Sequence, residues 1–147
     1  METLKTTVDS LENIDLSGFQ IVGSDYFTVL TKPNITIWED GIGFSTSAIK
    51  MLNSCSHVSI LVNKDTRCIL VKPVSPNDKD AVEWKSSSGN GRKISCTRFA
   101  RNLFFNWGWD THYHYRTQGR QVVADKKPML LFDLRAPDMY SGQRKVN

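Results

Sequence analysis

The chain has 147 residues, 39% of them hydrophobic and 23% charged, with a formal net charge of +4. That length gives one domain, or two very small ones, with a modest core that needs no covalent staples. No apolar run approaches the ~20 residues of a membrane-spanning helix, and the opening METLKTTVDSLENIDLSG has neither the basic leader nor the apolar stretch of a signal peptide. The three cysteines, Cys55, Cys68 and Cys96, are odd in number and never at C-x-x-C spacing. That disfavours a disulfide framework and a thiolate zinc site, and predicts small buried thiols in a reducing cytoplasm.

Charge is unevenly placed. Residues 1–40 hold two lysines against seven carboxylates, whereas residues 91–147 hold 11 basic residues against four acidic ones. An acidic head on a basic body points to a polyanionic partner.

In chain order, Leu4, Val8, Leu11 and Ile14 have helix-like spacing, so residues 1–17 read as a weak amphipathic helix or frayed tail. Phe19–Val22 and Tyr26–Leu30 read as strands, ended by Pro33. Ile35–Trp38 and Ile42–Phe44 are strands around the turn Glu39-Asp40-Gly41. Ser45 or Thr46 caps a short helix, Ser47–Leu52, which Asn53 stops in the left-handed conformation. A hairpin follows, His57–Val62 and Cys68–Val74, rich in β-branched residues. Residues 75–80 are a polar linker. Beyond it the order returns: strand Ala81–Trp84, turn Ser86–Gly91, strand Arg92–Ser95, a helix capped by Thr97 and ended by Gly108, a long strand Tyr113–Val123 bulged at Gly119, a turn, and strand Met129–Leu134. Residues 136–147 form a basic tail.

The fold class expected is therefore α+β, mostly β: two ββαββ repeats, residues 18–74 and 81–135, with short helices packed on sheets. The first copy, ITIWEDGIGFSTSAIKMLNSCSHVSILVNKDTRCILVKPV, resembles the swapped-hairpin transcription factors of the AbrB type in element order. Leu52-Asn53 and Trp107-Gly108 stand at the helix stop, and Cys68–Val74 and Met129–Leu134 at the last strand. The resemblance implies an intrachain pseudo-dimer, DNA as partner and a regulatory role, with basic hairpin residues on the DNA. The first copy's turn, Glu39-Asp40-Gly41, is acidic and departs from that pattern. The second, Trp84-Lys-Ser-Ser-Ser-Gly-Asn-Gly-Arg-Lys, keeps it. The chain as a whole also resembles small uncharacterised proteins of Gram-positive mobile elements.

The candidate nucleic-acid contacts are Lys85, Arg92, Lys93, Arg98, Arg101, Arg116 and Arg120. Lys85, Arg92 and Lys93 flank a Ser/Gly hairpin whose backbone N–H groups can meet phosphates. At 100° per residue the 97–107 helix turns Phe99, Ala100, Leu103, Phe104 and Trp107 to one face, and Arg98, Arg101 and Phe105 to the other. That second face either clamps a base or phosphate, or packs on the head with its arginines paired to Asp9, Glu12 or Asp15. Arg116 and Arg120, with Tyr113 and Tyr115, give a basic aromatic strand that suits RNA or a single strand. His112, His114 and Asp110 are a weak metal set, and His57 reads as structural. No nucleophile elbow or His-Glu-x-x-His motif is present, so no enzyme activity and no cofactor is expected. The alternatives to a DNA-binding regulator are a protein-interaction module or an RNA or single-strand binder. A homodimer is a further expectation.

Overall fold

The computed structural model describes residues 10–23 and 32–147. Its regular elements are β1 (Asn34–Trp38), β2 (Gly41–Phe44), α1 (Thr46–Met51), β3 (His57–Asn63), β4 (Cys68–Pro73), β5 (Val82–Glu83), β6 (Lys93–Ser95), α2 (Thr97–Trp107), β7 (His114–Ala124), β8 (Lys127–Asp133), β9 (Asp138–Ser141) and β10 (Arg144–Lys145). The described residues are thus mostly β with two helices.

All strand pairings are antiparallel, and neighbours run β5-β3-β4-β8-β7-β1-β2-β6. The two ends of this series meet, because a bridge between Lys85 and Gly91 joins the chain just after β5 to the chain just before β6. The sheet is therefore curled. β9 continues along the edge of β7 beyond β8, with His114 opposite Tyr140 and Arg116 opposite Asp138.

Strict alternation explains which side chains face inward. Ile35 and Ile37 of β1, Ile42 and Phe44 of β2, Ile69 and Val71 of β4, and Leu130 and Phe132 of β8 are all buried. Each contributes roughly 1.5–3 kcal/mol relative to exposure. Trp84 is fully buried among them, and its indole N–H donates to the Cys55 carbonyl at 2.7 Å, so the polar edge of this large ring is satisfied. The helices cover this core. α1 starts at Ser45, whose hydroxyl accepts from the Ala48 N–H at 3.3 Å, and the chain leaves it through Asn53 at φ 57. α2 buries Ala100, Leu103, Phe104 and Trp107 and ends at Gly108 in the left-handed region.

Several expectations need correction. Phe19–Val22 is not a strand: it has no ladder partner, and Phe19 is 73% exposed. Residues 10–17 contain no helix; the rest of that expected helix, and the strand Tyr26–Leu30, lie outside the described residues. α2 begins with Cys96 at the cap position and no side-chain cap bond, so Thr97 is its first residue and not its cap. Gly119 pairs in register with Phe132 and is needed for close approach: a Cβ there would sit 2.5 Å from the Phe132 ring. The basic tail is partly ordered as β9 and β10, because Met139 finds apolar cover against the core.

Candidate nucleic-acid interface

The outward residues of five strands define the most distinctive surface. Register places Lys93 opposite Gly43, Gly43 opposite Thr36, Thr36 opposite Arg116, and Arg116 opposite Asp138. The next row along holds Gly41, Trp38, His114 and Tyr140. This arrangement requires glycine at 41, where a Cβ would sit 2.7 Å from the Ile94 carbonyl oxygen, and leaves little room for a side chain at 43. A Cβ on Gly41 would lie 2.8 Å from the Lys93 stem, and one on Gly43 3.1 Å from the Trp38 indole. With no side chain at positions 41 and 43 on this face of β2, the lysine and the indole lie across the strand.

A groove of about 400 Å³ runs over this face, lined among others by Trp38, Thr36, Arg92, Lys93 and Arg116. Its cations are held in place. The Arg116 guanidinium Nε–H donates to Thr36 Oγ1 at 2.9 Å and its Cζ lies 4.7 Å from the Tyr140 ring centre. Lys93 Nζ sits 5.0 Å from the Trp38 ring centre and 2.6 Å from Asp40 Oδ1. Arg92 donates from Nη2 to the Glu83 carbonyl at 2.8 Å and from Nε to the Lys85 carbonyl at 3.3 Å. Between the cations run three rings: Trp38 and His114 stack at 5.6 Å, and His114 and Tyr140 at 5.5 Å. Side chains fixed this way lose less rotamer entropy when an anion arrives.

Two protonation equilibria belong to the site. The Lys93 ammonium, hydrogen-bonded to Asp40, holds that carboxyl below its ordinary range. His114 is pushed down by burial first, then by the charges of Arg116 and Lys93, so its imidazole is neutral at pH 7.

Of the seven basic residues singled out from sequence, Arg92, Lys93 and Arg116 converge on the groove. Lys85 turns away, donating from Nζ to the Ser54 carbonyl at 2.6 Å. Arg120 lies further along β7 opposite Leu131, where its charge acts on Asp133. Arg98 and Arg101 stand exposed on α2, and Arg101 is close enough to influence Asp40. Neither arginine makes an ion pair among the described residues. Phe105, one turn beyond Arg101 on the same face, is 87% exposed, so it does not pack on the described head residues 10–23. His112 pairs with Asp110 at 2.8 Å, away from His114, and no group of three or more potential metal ligands forms among the described residues. Cys55 and Cys96 are half-buried free thiols, and burial pushes both up.

Sequence reasoning missed Thr36, Trp38 and Tyr140 as site residues. The signal for the first two was present: Asn34, Thr36 and Trp38 alternate with inward isoleucines. The missing knowledge was the β1–β7–β9 register, which sets their neighbours.

No protein family, curated protein or solved structure matches this chain.

Proposed function

We propose that the chain is a small non-enzymatic nucleic-acid-binding module, of the DNA-binding regulator kind, whose contact surface is the groove of Arg92, Lys93 and Arg116. The observation that carries this reading is the convergence of those three cations, Arg92 just before β6, Lys93 at its start and Arg116 on β7, beside Trp38 on one surface. Phosphates at regular spacing match cations held at fixed positions, and an indole edge offers apolar contact to sugar or base. The exposed Lys93–Asp40 pair is open to competition, since solvent-screened pairs of this type hold little energy.

The strand pairings favour the swapped-hairpin reading. β1 pairs with β7 and, correspondingly, β3 with β5; β2 pairs with β6 across Ile42 and Ile94; β4 pairs with β8 across Leu70 and Leu131. This is the pattern that two interlocked ββαββ copies produce in one chain. The acidic Asp40 in the first copy's turn then has a definite role: it meets Lys93 of the second copy, and leaves one groove basic.

The test is fluorescence anisotropy of labelled mixed-sequence oligonucleotides at low salt. Displacing counterions from three phosphates predicts that log K falls with log salt at a slope of about −2 to −3. No binding at low salt overturns the reading. A second reading, a protein-interaction module, is favoured by a different observation: Leu11, Ile14, Leu16, Phe19, Ile21 and Val22 are all exposed, Ile21 fully. Capture of a stoichiometric protein partner that survives nuclease treatment would support it.

A further inference from the structure

Two surfaces of this chain are left open and are complementary. The first is the segment 11–22, LENIDLSGFQIV. It carries Glu12 and Asp15 and no basic residue, and its six large apolar side chains are 59–100% exposed. Its internal bonds are local: the Phe19 N–H donates to the Leu16 carbonyl at 3.1 Å, and Asp15 accepts from the Ser17 N–H and hydroxyl. These hold a turn and bury nothing. The second surface is the outward face of α2, with Arg98, Arg101, Asn102, Phe105 and Asn106 all exposed. No acidic residue lies in α2, and a notch of about 310 Å³ opens beside Phe105, walled by Phe104, Trp109, Thr111, Arg101 and Glu39.

An apolar stretch this dense is not left in water without a partner. An exposed phenylalanine sharing its helix face with arginines, next to an apolar notch, has the composition of an interface hot spot. Within one chain the segment and the helix face are both solvent-exposed, so they do not cover each other. We infer that they meet between two copies: the acidic arm of one chain lies on α2 of its partner, and the exchange is reciprocal. In this arrangement Arg98 and Arg101 pair with Glu12 and Asp15, and an apolar arm residue fills the notch beside Phe105. Glu39 in the notch wall repels the arm's carboxylates and so fixes which end of the arm lies there. The interface is isologous and closes at two chains, since each arm occupies the one matching face of its partner. This assigns Arg98 and Arg101 to self-association and leaves the groove cations for nucleic acid.

The experiment is sedimentation velocity with static light scattering over a wide concentration range, on full-length chains whose circular dichroism matches wild type. Wild type is expected to dimerise in a concentration-dependent manner. Arg98→Glu/Arg101→Glu and Glu12→Lys/Asp15→Lys, all exposed positions, are each expected to raise the dimer dissociation constant at least about tenfold, because like charges then face each other. An equimolar mixture of the two variants decides the matter. One chain then offers an acidic arm and an acidic helix, the other a basic arm and a basic helix, and both contacts are complementary in the heterodimer. Restored association in the mixture supports the exchange. A wild type that stays monomeric, a dimer insensitive to both variants, or a mixture that fails to associate overturns it.

Discussion

The groove and the α2 face are both cationic, yet they are built differently. Each groove cation has a partner inside the protein: Thr36 and Tyr140 for Arg116, Asp40 and Trp38 for Lys93, backbone carbonyls for Arg92. Among the described residues the α2 arginines have none of these, and they share their face with an exposed phenylalanine. Cations held at fixed positions, with flat rings between them, suit a ligand whose charge repeats and whose bases can stack. Loose arginines beside an apolar knob suit a ligand that is both acidic and apolar. Positive charge alone therefore does not identify a polyanion site; what surrounds it decides.

Charge reversal separates the two surfaces most strongly. Arg92→Glu/Lys93→Glu/Arg116→Glu is expected to weaken oligonucleotide binding by about 100-fold or more at low salt. Arg98→Glu/Arg101→Glu should weaken it at least about tenfold less than that, with the residual effect, carried by Arg101 near Asp40, shrinking as salt rises to about 0.1 M, where the Debye length is ~10 Å. Anisotropy titrations of the two variants side by side measure the contrast.

Asp40→Asn should act in the opposite direction. Removing the carboxylate frees Lys93 and deletes a repulsive charge, so binding tightens by about three- to tenfold in low salt. A titration of this variant that matches wild type would show that Lys93 contributes nothing to the groove.

A smaller effect is expected from pH. His114 is depressed, so it is neutral at pH 7 and gains its proton only below its ordinary value of about 6.5. An anion in the groove favours that proton, so affinity should rise by about two- to fourfold between pH 7 and pH 5, and His114→Gln should abolish the rise. Stability has the opposite sign. The unfolded chain takes up the proton first, so the fold loses stability as pH falls below about 6.5, and the difference in Tm between wild type and His114→Gln should be constant above it and change below it. The smallest change is Thr36→Val, which removes the acceptor for Arg116 Nε. It should weaken binding about twofold with no change in salt slope, because the charge remains.

Much of the fold was legible because its signals are local. The strand alternation of Ile35, Ile37, Ile42 and Phe44, the Ser45 cap, and the Asn53 and Gly108 stops all sit within a few residues of the structure they specify. The helix face of α2 was equally readable from its period. What was not legible depends on distance along the chain. Lys93 and Asp40 are far apart in sequence, as are Arg116 and Thr36, and only the β2–β6 and β1–β7 registers bring them together. The same ignorance of register placed Lys85 and Arg120 with the groove cations, although Lys85 is drawn to the Ser54 carbonyl. The segment Phe19–Val22 has the composition of a strand, but no described strand offers it an edge.

The most direct measurement is a ¹H–¹⁵N spectrum of the labelled full-length chain, titrated with an oligonucleotide. The account predicts shifts at the Trp38 indole N–H, the Arg116 Nε–H and the amides of Gly41, Gly43 and Lys93, with α2 unmoved. Shifts confined to Arg98, Arg101 and Phe105, or no shifts at low salt, would contradict it.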